Sequence, residues 1–135
     1  MANYNWGFDY PFTAGADLSA AQYRFTRLGT TPKQVLQANG ASNPGVVGIL
    51  QSNPSATGQE APVRLHGTSE LYVDAGDPIG YGSYLKSGST GLGVLQSDTS
   101  SSAVAHAMAL EAVASGSGIL IEVFLLPAGV KLGAS

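Results

Sequence analysis

The chain has 135 residues, a net charge of −3, 11% charged residues and no cysteine. That length predicts one domain able to bury its own core, and the lack of cysteine excludes disulfides and thiolate chemistry. The six basic residues are scattered along the chain, which argues against a nucleic-acid partner, since binding phosphates needs concentrated Lys and Arg.

The first element is the stretch NYNWGFDYPF, residues 3–12, in which Tyr4, Trp6, Phe8, Tyr10 and Phe12 recur at every second position. A strand turns alternate side chains to opposite faces, so residues 1–17 are expected to form an extended arm with one aromatic face. From residue 18 to residue 127 the spacing predicts a β domain. Runs at 22–28, 33–38, 46–51, 62–67, 70–74, 79–85, 92–96 and 119–126 carry β-branched or aromatic residues, with Gly, Asn, Pro or Ser turns between them. Short strands at this interval read as an all-β sandwich or barrel. One helix is expected to interrupt them. SSAVAHAMALEAVA, residues 101–114, is rich in good helix formers, with serines to cap it and Gly116 to stop it. The fold class is therefore mainly β, a small antiparallel sandwich or barrel with a short α-helix before the last strand. Residues 128–135 read as a tail.

The closing run ILIEVFLL places Ile119, Ile121, Val123 and Leu125 on one face and Leu120, Phe124 and Leu126 on the other. A strand apolar on both sides is covered on both sides. Charged residues usually make up about a quarter of a globular chain, so the 11% found beside 44% hydrophobic residues implies that part of the surface is hidden in an assembly. The candidate interface residues are Tyr4, Trp6, Phe8, Tyr10, Phe12, Ile121, Val123, Phe124 and Leu125. GILQSN (48–53) nearly repeats as GVLQSD (93–98), which reads as two similar strand-to-turn junctions rather than a duplication.

Signals for catalysis are missing. His66 and His106 are the only histidines and stand 40 residues apart with no metal-ligand spacing. His106 reads as a partly buried helix residue, and His66 as the end of a strand. No GxSxG elbow or phosphate loop is complete. Asp74 and Asp77 in VDAGDP fit turn chemistry better than a calcium loop. No enzyme activity, cofactor or metal is expected. The first residues lack a basic start followed by an apolar run, and no stretch approaches ~18 apolar residues, so neither an export signal nor a membrane partner is expected.

From Asp17 to Pro127 the order of features resembles the head-decoration, or capsid cement, proteins of tailed bacteriophages. The resemblance rests on VVGIL after a polar turn, VRLHGTSELYVDAGDPIGYGSYLKS, then GLGVLQ, and AHAMALEAVASG feeding ILIEVFLLP. It implies a homotrimer on the capsid exterior of a virion, made in the host cytoplasm, that clamps neighbouring copies of the major capsid protein. The aromatic arm lies outside the resemblance. It either docks on a sister subunit or the capsid as an added strand, or is the first strand of the protein's own sheet. A different class of reading makes the aromatic row a stacking platform for carbohydrate.

Overall fold

The computed structural model describes residues 7–40, 45–98 and 103–131, the last five of them as backbone only. Nine strands form: β1 (Gly7–Ala14), β2 (Phe25–Leu28), β3 (Gln34–Gln37), β4 (Val46–Leu50), β5 (Glu60–Asp74), β6 (Tyr84–Ser87), β7 (Gly93–Leu95), β8 (Val104–Ala109) and β9 (Ser117–Lys131). They pair in the order β1-β3-β2-β4-β5-β7-β6-β8-β9, and β5 also pairs with both β1 and β9. Each of those extra pairings closes a ring, and closure is how a small β protein removes exposed strand edges. The first ring is β1, β3, β2, β4 and β5; the second is β5, β7, β6, β8 and β9.

The long strand β5 belongs to both rings. As far as Gly67 it pairs with β1, and from Thr68 onward it pairs with β9. Gly67 has φ 103°, a conformation open to glycine at little cost, and it marks the point where the strand leaves one ring for the other. Phe12, Ala14, Val35, Leu50, Ala61 and Val63 pack together in the first ring. Leu71, Val73, Leu85, Ala107, Ala109, Ile121 and Val123 pack together in the second, joined by Phe25 and Ile49 from β2 and β4. The two rings are thus welded by a shared strand and by first-ring side chains that enter the second core.

The mainly β expectation agrees with this architecture, but the described residues of the expected helix at 101–114 form no helix, and Val104–Ala109 among them is a strand. Val104–Ala109 forms β8, paired with β6 and β9, and there is no helix among the described residues. Its side chains alternate: Ala105, Ala107 and Ala109 are buried, and Val104, His106 and Met108 are half-buried. Alanine favours helices intrinsically, yet that preference amounts to a few tenths of a kcal/mol per residue, as an order of magnitude. Small side chains facing a narrow ring gain more from packing, so tertiary context wins. His106 is consequently a strand residue.

The rings repeat one another. In the first, the order is first-third-second-fourth-fifth strand, with the first and third parallel; the second follows the same order from β5 to β9, with β5 and β7 parallel. Registers correspond residue by residue. Phe12 pairs with Ala61 as Leu71 pairs with Ile121, and Phe25 pairs with Ile49 as Tyr84 pairs with Met108. The Tyr23 amide donates to the Leu50 carbonyl as the Gly82 amide does to Ala109. Even the left-handed backbone recurs, at Tyr23 (φ 62°) and Gly82 (φ 86°). GILQSN and GVLQSD are not counterparts in this scheme, because β4 corresponds to β8 and β7 to β3.

Candidate functional site

The nine sequence-derived interface residues fall into different environments. Tyr4 and Trp6 lie outside the described residues. Phe8, Tyr10 and Phe12 are on β1, which is hydrogen-bonded into the first ring, so the backbone of residues 7–14 already has partners within the chain. Phe12 is buried, and Tyr10 leans on it with ring centroids 4.6 Å apart. Phe8 remains 59% exposed. The described part of the aromatic row is therefore split between core and surface and does not form a flat platform.

Between Phe8 and Tyr10, Asp9 receives a two-pronged contact from Arg64 on β5, through Nε and Nη2. Arg64 is buried, and its Nη1 donates to the Thr68 carbonyl at 2.7 Å. One guanidinium thus pins β1 to the shared strand and braces the stretch where β5 passes into the second ring. Such a planar fork suits a carboxylate better than a lysine would. This residue was missed in the sequence, where Arg64 looks like any other scattered cation.

On β9, Ile121, Val123 and Leu125 face the core and Phe124 faces outward. Phe124 pairs directly with Met108, and Met108 pairs directly with Tyr84. Directly opposed residues share a face, so these three side chains form a row across β9, β8 and β6. Phe124 and Tyr84 are exposed, and the row continues to His66, whose ring meets Phe124 edge-on at 6.4 Å. Phe8 is His66's partner on β1. The surface therefore carries an aromatic and thioether band across five strands, of which only Phe8 and Phe124 were among the candidate interface residues.

His106 has a different setting. It lines a cavity of about 10 Å³ with Val46, Val47, Gly48, Leu65, Leu125 and Leu126, and its ring meets Phe25 edge-on at 6.0 Å. Burial pushes its pKa below the usual imidazole value. The space is about that of one water molecule and cannot admit a metabolite. Asp74 accepts a hydrogen bond from the Gly76 amide at 3.1 Å, as expected of turn chemistry. No cluster of three metal-ligating side chains occurs among the described residues, and none of their helices could cross a membrane, there being no helix.

No protein-family model matches the chain, and no curated protein matches it. Among solved structures, the fold is similar to the N base of head fibre gp8.5 in bacteriophage phi29. The likeness has a TM-score of 0.61 and spans 92% of this chain and 98% of that one, at 14% sequence identity.

Proposed function

We propose that this protein is a structural component of a phage head that sits on the outer capsid surface as a homotrimer and clamps neighbouring copies of the major capsid protein. The observation that carries the reading is the fold-level likeness to the phi29 head fibre base, which extends over nearly the whole of both chains. It is joined by the low charge and by the exposed band of Phe8, Phe124 and Tyr84.

Mechanically, the double ring is suited to such work. Each ring is closed on itself, and β5 runs through both, so a pull applied to one ring is resisted by backbone hydrogen bonds of the other. A trimer gripping several capsid subunits at once multiplies weak contacts through effective concentration. Moving one capsid subunit outward then requires breaking contacts on its neighbours, with no chemistry involved. Enzyme activity, nucleic acid and membrane have no part in this reading.

The test compares heads assembled with and without the protein. Heads lacking it are expected to rupture at lower temperature, and adding the purified protein back is expected to restore them. Equal rupture temperatures with the protein demonstrably bound would remove the stabilising role.

A further inference from the structure

The internal repeat gives part of the exposed band a counterpart in the first ring. In the first ring, Asp9, Arg64, Ile49 and Phe25 form a row by successive direct pairings. Its counterpart in the second ring is Thr68, Phe124, Met108 and Tyr84, paired in the same succession. Of the first row, Arg64, Ile49 and Phe25 are buried, whereas Asp9 at its end is exposed. Phe25 and Ile49 are fully buried among second-ring core residues. The Phe25 amide donates to the Gly91 carbonyl, and the Arg24 guanidinium donates to the Thr90 carbonyl, both 2.9 Å, in the turn joining β6 to β7. The second row keeps large side chains where Ile49 and Phe25 stand, as Met108 and Tyr84, and adds Phe124 in the place of Arg64, yet Phe124 and Tyr84 are exposed.

We infer that the Tyr84–Met108–Phe124 row is the seat of a second copy of this chain, which presents the turn between its own β2 and β3. That turn, residues 29–33, is the counterpart of the β6–β7 turn that meets the first row at Phe25. It lies at the surface next to Leu28, an exposed leucine. A chain whose first half has the shape that its second half lacks a cover for can meet its own copies head to tail. Such a contact uses two different patches, so it closes into a ring of copies when the rotation permits. The number three comes from the proposed function; the two patches come from the repeat alone.

Sedimentation equilibrium on the full chain tests this. The unaltered protein is expected to self-associate, and Phe124→Lys or Leu28→Lys is expected to weaken association by about thirtyfold, as for loss of a central interface anchor. An equimolar mixture of the two variants is expected to form dimers and nothing larger, because each variant keeps one intact patch. Unaltered protein that stays monomeric at high concentration, or folded variants that associate normally, would overturn the inference. If either variant misfolds, Tyr84→Cys supplies the only thiol in a chain without cysteine. Its maleimide labelling is expected to slow on self-association and to be fast on dilution. A thiol that is protected even in the monomer and freed by deleting residues 1–6 would mean that the chain's own N-terminus covers the row, which also overturns it. Head binding scored on the same samples separates the two claims: variants that fall apart yet still bind heads count against the trimeric clamp, and associating protein that ignores heads counts against the capsid alone.

Discussion

Arg64 and Asp9, 55 residues apart in the chain, are joined across β5 and β1 by two hydrogen bonds of one guanidinium. Their counterparts in the second ring are Phe124 and Thr68, paired at the same register. One fold thus accommodates an ion pair in one ring and an apolar side chain in the other at equivalent places.

That substitution within the molecule predicts a double-mutant result. Asp9→Ala leaves a buried guanidinium short of its acceptor and is expected to destabilise the fold by about 2 kcal/mol, while Arg64→Leu alone costs less because Asp9 can reach water. The pair Asp9→Thr with Arg64→Phe, which copies the second ring, is expected to recover most of the loss. Urea denaturation of the three variants measures the coupling.

Gly48 and Gly58 are expected to respond to alanine in the same direction but to different extents. A Cβ on Gly48 would collide with the Arg64 carbonyl on the neighbouring strand, whereas one on Gly58 meets nothing within 4 Å. Gly48→Ala should cost about 3 kcal/mol, as overpacking against backbone. Gly58 has φ 91°, so Gly58→Ala should cost only about 1–2 kcal/mol of backbone strain. Thermal unfolding of both proteins distinguishes them.

Phe25 belongs to β2 of the first ring and to the core of the second. Truncating it to alanine is expected to cost about 3–5 kcal/mol and to weaken both rings together. Hydrogen exchange measured by mass spectrometry should show β1 and β9 losing protection in parallel. Loss confined to β1 to β4 would mean that the rings unfold independently.

Burial lowers the pKa of His106 in the folded chain, so between that value and about 6.5 the unfolded chain binds more protons. Its contribution to stability is present above pH 6.5 and is lost as pH falls below it. The cavity residues around the ring are apolar, with no carboxylate among them. Melting temperature is therefore expected to drop between pH 7.5 and 5.5, and His106→Leu should flatten that part of the profile.

The sequence carried the strands well where polar turns separate them: β2, β3, β4, β6 and β7 fall within or beside the expected runs. The runs at 62–67 and 70–74, expected as two strands, join through Gly67 into the single strand β5. It misled where composition and environment disagree. The alanines of VAHAMA favour a helix in isolation, and only the narrow ring makes them strand residues. Val123 and Leu125 looked available to a neighbour because both faces of β9 are apolar; the closure of the second ring places them inside and leaves Phe124 outside. The internal repeat, which the sequence reading set aside, runs at another spacing than that of GILQSN and GVLQSD. FTRLGTTPKQVLQAN (25–39) and YLKSGSTGLGVLQSD (84–98) share Gly29 with Gly88, Thr31 with Thr90, and VLQ. Strand pairing, rather than identity, reveals it, since a turn shortened by one residue sets Leu36 against Val94 in the registers. The Arg64–Asp9 bridge was out of reach of any spacing argument, because it depends on which strands close the first ring.

The most direct check of the whole account is a cryo-electron density map of heads reconstituted with the purified protein, compared with heads that lack it. The account predicts added density on the outer surface, fitted by three copies of the double ring touching more than one major capsid subunit. Heads that bind none of the protein, or density that leaves every capsid subunit untouched, would contradict it.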